Sequence, residues 1–134
     1  MKFRGVRGAT TAEGNSAEAI LLATRELLEA LVSQNDIEED DVASIIFTTT
    51  PDLTAAFPAR AARDFGWRRT ALMGAQEMDV PDGIRFAIRI LIHWNTSKSL
   101  DEIVHVYMRE AMVLRPDLYP DNKIIVEKKH EENS

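Results

Sequence analysis

The sequence predicts a mixed α/β domain of the α+β kind, with one mixed β-sheet packed on a single long helix plus a short helix. Three patterns predict it. Ile84, Phe86, Ile88, Ile90, Ile92 and Trp94 alternate without a break, which requires a strand with one apolar face. Ile20, Leu27, Leu28 and Leu31, with Thr24 between them, form the apolar stripe of a helix. Residues 42–50 are rich in β-branched side chains and read as a further, mostly buried strand.

In chain order, residues 2–10 predict the first strand, loosened by Gly5 and Gly8, either of which marks a bulge or a close backbone approach. Asn15 is the expected N-cap of the long helix, with Glu18 three residues on in the manner of a capping box. The stripe then runs to about Gln34. The acidic cluster at residues 36–41 reads as a solvated turn without functional weight. Pro51-Asp52 ends the second strand. Pro58 suits the first turn of a short helix over residues 59–65, ended by Gly66. Arg60 and Arg63 share one face of that helix. A third strand is expected from about residue 69 to residue 75.

The alternating strand comes next, and its opposite face carries Arg85, Ala87, Arg89, Leu91 and His93. Arg89 is held mid-strand between Ala87 and Leu91, where an unpaired charge is costly. It is therefore either exposed on an edge strand or pointed into a polar site. Residues 102–114 fit a helix or a strand equally well. Pro116 and Pro120 then stop regular structure. They divide a domain, residues 1–120, from a polar tail, residues 121–134, that is expected to fray.

A length of 134 residues sets one domain, and 45% hydrophobic with 28% charged residues describes a globular chain, not a disordered one. No Cys is present, which removes disulfides, thiolate metal ligands and Cys nucleophiles and suits a reducing compartment. No segment nears the roughly 18 apolar residues that span a bilayer, and the first eleven residues lack the apolar core of a secretory signal. The expected location is cytoplasmic. A net charge of −6 opposes attraction to nucleic acid or anionic membranes. Yet before residue 121 there are eleven Arg and only two Lys. Arg offers a planar fork that matches a carboxylate bidentately, whereas Lys is a mobile point charge. One sheet with one long helix also leaves a sheet face bare, so self-association is expected.

Six segments in order carry a resemblance over residues 4–118: Arg4-Gly-Val-Arg-Gly-Ala-Thr-Thr11, Thr50-Pro-Asp-Leu53, Phe57-Pro-Ala59, Gln76-Glu-Met-Asp-Val80, His105-Val-Tyr107 and Leu114-Arg-Pro-Asp-Leu118. Together they resemble the AroH-class chorismate mutases. The resemblance implies a pseudo-α/β-barrel homotrimer with active sites between subunits. It implies conversion of chorismate to prephenate, with no metal, no cofactor and no covalent intermediate. The three His, at 93, 105 and 130, offer no metal-ligand spacing in any case. By matched position, Arg89 should donate to the ether oxygen, Arg7 with Tyr107 should bind the side-chain carboxylate, and Glu77 should accept from the ring hydroxyl. Arg63 and Arg115 should meet the ring carboxylate or the cleft mouth. Phe57, Ala59, Leu72 and Leu114 would supply apolar wall, with Met73 and Gly74 completing the substrate-binding set.

Three positions depart from the family pattern. Gly74 lies where a hydrogen-bonding side chain is expected, so only backbone serves there. Arg60 is peripheral, and the Asp64-Phe-Gly-Trp67 connection is one residue short. Two rival readings stand beside this one. An enamine/imine deaminase would share a small α/β trimer with an Arg-lined interface, and a non-catalytic trimer would merely bind a small carboxylate. The segments at 76–80 and 114–116 favour the mutase over the deaminase. Joint retention of Arg7, Glu77, Arg89 and Tyr107 argues against loss of activity.

Overall fold

In the computed structural model, which describes residues 1–117, the apolar stripe forms helix α1 (Ala17–Asn35), with Ile20, Ala23, Thr24, Leu27, Leu28 and Leu31 buried. Thr24 satisfies its hydroxyl on the Ile20 carbonyl one turn back, 2.7 Å away. The N-cap is Ser16 and not Asn15: Ser16 Oγ accepts from the Ala19 N–H at 3.1 Å. Asn15 instead accepts from the N–H groups of Thr54 and Ala55. Either side chain can cap a helix, and the pull of that distant loop on Asn15 is invisible locally.

Five strands form one sheet: β1 (Lys2–Thr11), β2 (Val42–Thr49), β3 (Ala71–Gln76), β4 (Ala87–Thr96) and β5 (Val106–Tyr107), in the order β3-β2-β4-β1-β5. β4 is antiparallel to both of its neighbours, while β3 and β5 join the edges in parallel. Alternation along β4 sends Ile88, Ile90, Ile92 and Trp94 to the α1 side, where Ile90, Ile92 and Trp94 meet Val6, Ile45, Phe47 and Leu27 in the main core. Each large apolar side chain buried there contributes about 1.5–3 kcal/mol.

The strand starts at Ala87, later than the alternation predicts. Phe86 takes a left-handed backbone, φ 53°, and its N–H is held by both Asp52 carboxylate oxygens at 3.2 and 3.0 Å. Ile84 and Phe86 still half-bury their side chains, so the pattern outruns the ladder. Arg85 consequently lies outside the strand, exposed and 3.8 Å from Asp52.

Helix α2 (Ala59–Asp64) ends as expected near Gly66, whose φ of 103° suits only glycine comfortably. The acidic turn has structural weight after all: Glu39 accepts from the N–H groups of Arg69 and Thr70 and from the Thr70 hydroxyl, which delays β3 to Ala71. The ladder irregularity falls in β2, between Val42 and Ser44, and not in β1. Gly8 is the close approach: a Cβ there would lie 2.9 Å from both Leu27 Cδ1 and the Val106 carbonyl.

Residues 102–114 are neither a helix nor a strand throughout. A 3-10 turn, Leu100–Glu102, leads to β5, and a second one, Arg109–Leu114, follows it. The buried Asn35 side chain accepts from Val104 N at 2.8 Å and donates to Val104 O at 2.9 Å, drawing this stretch onto the end of α1. Tertiary bonds decide its form. The predictions for Leu118, Pro120 and the tail at 121–134 lie outside the described residues.

Both helices leave one sheet face bare. Phe3 and Met73 are 60% and 65% exposed on it, beside half-buried Ile46 and Leu91. Among the described residues no helix is long and apolar enough to cross a membrane.

Replacing Gly8 with Ala should lower stability by roughly 1–3 kcal/mol through overpacking between β1, β5 and α1. A urea denaturation midpoint equal to wild type would show that the approach is not tight.

Candidate active site

The bare face carries charge where the ladder crosses from β2 to β1. Arg89 on β4 faces Thr48 of β2 on one side and Ala9 of β1 on the other. Arg7 faces Leu91, so Arg7 and Arg89 are diagonal neighbours on one surface. β5 pairs Tyr107 with Ala9, and the tyrosine is buried against Ala9 and Ala111. Glu77 leaves the end of β3 with its N–H on the Thr49 carbonyl at 2.7 Å. The pleat turns its carboxylate toward this surface, where the Thr48 hydroxyl donates to Oε2.

Arg89 Nε lies 3.6 Å from the same Glu77 oxygen, an ion-pair distance too long for a hydrogen bond. Nε is buried and has no hydrogen-bond partner among the described residues. Such an orphan donor is costly unless an acceptor arrives. Arg89 and Glu77 also line a cavity of about 550 Å³ with Asp52, Met78, Ile84 and Leu114.

The far rim comes from the C-terminal 3-10 turn. Leu114 reaches the cavity, and the next guanidinium, Arg115, lies 5.7 Å from the Tyr107 ring centre. Arg115 grips Asp117 through two hydrogen bonds of 2.9 and 2.7 Å. The Asp117 carboxylate, and then Tyr107, hold it protonated well beyond the ordinary guanidinium range. His105 joins the two edges of the site, because the Arg7 N–H donates to its Nδ1 at 3.0 Å. A ring nitrogen that accepts carries no hydrogen, so the neutral ring bears its proton on Nε2. Burial, then the charges of Arg7 and Arg115, push the His105 pKa below its usual value. The cavity is thus lined by Arg89 and Arg85 with Asp52, Glu77 and Asp79, while Arg7 lies diagonal to Arg89 on the same sheet face and Arg115 follows Leu114 at the rim. Guanidiniums so placed suit a substrate with more than one anionic group.

Other expected site residues lie elsewhere. Phe57 and Gly74 line a second depression of about 570 Å³ with Phe47, Thr49, Pro58 and Gln76. Phe47 and Gly74 are ladder partners on the helix side of the sheet, so the sheet separates them from Arg89 within one chain. Arg63 stands exposed on α2, while Ala59 and Leu72 pack partly into the main core. Met73 is on the bare face. A Cβ at Gly74 would meet only the Phe47 carbonyl, at 3.8 Å, so space for a side chain exists and none is supplied.

Thr48, Asp52 and His105 have positions in this site that sequence patterns did not assign. Asp52 reads as a strand breaker. In the fold it takes hydrogen bonds from the Thr50 hydroxyl at 2.6 Å and from Phe86 N–H, and so sets where β4 begins. Partial burial pushes its carboxyl up, but the Thr50 and Phe86 bonds with the Arg85 charge outweigh that and leave it below the ordinary range. The Thr-Pro-Asp turn chemistry was the one local hint.

Comparison with known proteins places these features in context. The model of the family "Chorismate mutase type I" matches residues 3–118. The chain is 50% identical to chorismate mutase AroH of Thermus thermophilus over 116 residues, 86% of this chain and 95% of that protein. It is 43% identical to chorismate mutase AroH of Bacillus subtilis (strain 168) over 119 residues, 88% and 94% of the two chains. A solved chorismate mutase from Clostridium thermocellum superposes with a TM-score of 0.81 at 49% identity, covering 82% of this chain and 98% of that one.

The His105 shift has a sign. Its folded pKa lies below the unfolded value of about 6.5, so the unfolded chain takes the proton first as pH falls. This contribution to stability is present above the unfolded value and is lost on acidification. Denaturation midpoints measured from about pH 7.5 to about pH 5 should therefore fall less steeply in His105→Asn. Equal slopes would contradict the assignment.

Proposed function

This chain belongs to the type I chorismate mutase family and is a chorismate mutase, an isomerase of aromatic amino acid biosynthesis; from that premise we propose how its own residues perform the reaction. The reaction is an intramolecular Claisen rearrangement. The ether bond between the ring and the enolpyruvyl side chain breaks while a new carbon–carbon bond forms, giving prephenate. No proton has to move, so the work is to hold the reactive diaxial shape and to stabilise charge growing on the ether oxygen.

Arg89 donates to that oxygen. The observation that carries this role is its buried Nε, without a hydrogen-bond partner among the described residues and only loosely paired to Glu77. A donor left wanting in the ground state gains most as the oxygen becomes negative. Arg7 with Tyr107 holds the side-chain carboxylate, and Glu77, braced by Thr48, accepts from the ring hydroxyl. Leu114 closes the wall, and Arg115 exchanges part of its hold on Asp117 for the ring carboxylate. The reaction as proposed uses no metal and no cofactor, and the enzyme works in the cytoplasm.

The remaining residues complete the site from a second copy. Phe57, Ala59, Arg63, Leu72, Met73 and Gly74 do not line the Arg89 cavity in their own chain, and the bare sheet face with Phe3 and Met73 is a surface that copies can cover. A closed homotrimer, its sheets packed into a pseudo-α/β-barrel, buries that face and seats one chain's Phe57 and Arg63 over its neighbour's Arg89.

Incubation with chorismate should remove its ultraviolet absorbance and yield prephenate. Arg89→Ala should reduce kcat by on the order of 10²–10³ or more, and Arg89→Lys should recover little because the donor fork is gone. Wild-type turnover in either variant removes Arg89 from its role. Unfolding and refolding Arg89→Ala together with Arg63→Ala in equal amounts should restore up to about a quarter of wild-type activity, by random assembly of intact interfaces. Absence of any gain over the separate variants argues against a shared site.

A further inference from the structure

We propose that Glu26 and Arg109 form a latch that sets substrate affinity by fastening the C-terminal 3-10 turn to α1 and β1. Arg109 opens that turn in a left-handed backbone conformation, φ 53°, which a residue with a Cβ adopts only when its surroundings impose it. Its guanidinium supplies the reason. Nη2 donates to Glu26 Oε2 on α1 at 2.8 Å, and Nη1 donates to the Thr11 carbonyl at the end of β1 at 3.3 Å. Both side chains are about a third exposed, so the pair is a surface clasp and not part of the core.

A short 3-10 turn has little stability of its own. Besides the latch, this one is held by the Met108 N–H on the Ala9 carbonyl and by Ala111, which is fully buried against Ala9 and Tyr107. Those contacts fix its beginning. Its end delivers Leu114 to the cavity of Glu77 and Arg89 and sets Arg115 over Tyr107. Neither Glu26 nor Arg109 lines that cavity. They are positioning residues, and the inference rests on the reading that Leu114 and Arg115 bound the substrate cleft. Releasing them lets the rim move while Arg89 and Glu77 stay on the sheet. Binding weakens and the chemical step is spared.

The test is steady-state kinetics with chorismate on the full chain, beside thermal unfolding of each variant. Arg109→Ala and Glu26→Ala should each raise KM by roughly three- to fivefold, the fold-change of a partly exposed ion pair, with kcat little changed. The double variant should be no worse than either single one. Arg109→Gly relaxes the left-handed backbone yet should show the same KM rise, which separates the guanidinium from the backbone. Glu26→Gln retains an acceptor and should fall between Glu26→Ala and wild type, a result that stays readable if Arg109 variants fold poorly. Unchanged KM in folded variants, a matching fall in kcat, or additive effects would each overturn the latch. Arg115→Ala separates the two layers. If it raises KM while the latch variants do not, the latch alone is wrong; if it too leaves KM unchanged, the reading of the rim fails first.

Discussion

A guanidinium anchored on the central strand of a sheet is the constraint from which this structure follows. Arg89 cannot withdraw, because Ile88 and Ile90 lock its strand into apolar clusters on the opposite face. Nor can its charge sit bare at low cost. Glu77 and Thr48 offset part of that cost and leave the Nε unsatisfied. For the proposed chemistry this is useful. A donor already aimed at the growing charge spends no reorganisation when the bond breaks.

The β-ladder is what assembles the charges. Arg7, Arg89 and Tyr107 are far apart in the chain, yet register on three adjacent strands sets them side by side. Such a floor is firm because Arg89 sits on a strand paired on both sides, while Tyr107 on the edge strand is buried against Ala9 and Ala111. The rim is different. The C-terminal 3-10 turn is held at its start by the Met108 N–H on the Ala9 carbonyl, by buried Ala111 and by the Arg109–Glu26 clasp. In the proposed reading it carries affinity while the sheet carries turnover.

Local charge runs against the whole. A protein with net charge −6 sets Arg7 and Arg89 diagonally on one sheet face and brings Arg115 to the rim beside Leu114, which lines the Arg89 cavity. Burial, and then the charges of Arg7 and Arg115, lower the His105 pKa, which favours the neutral ring whose Nδ1 accepts from the Arg7 N–H. The preference for Arg over Lys fits this use, since a planar fork loses less freedom per bond formed.

Much of this was legible in the residues. Alternation from Ile84 to Trp94 revealed the central strand and the odd placement of Arg89, and the helical stripe named the core of α1 almost residue by residue. A hydrophobic period is a local property, written in neighbouring side chains. Resemblance, and not pattern, was needed to pick out Glu77 and Tyr107, because a carboxylate after a strand and a tyrosine in an ambiguous stretch look ordinary alone. Tertiary structure alone decided the rest. It settled that Ser16 caps α1, that Asp52 delays β4, that residues 100–114 fold as two 3-10 turns around a two-residue strand, and that Phe57 and Gly74 face away from Arg89. Each of these turns on a hydrogen bond or a strand pairing between residues distant in sequence, and no local period records which partner a side chain will meet.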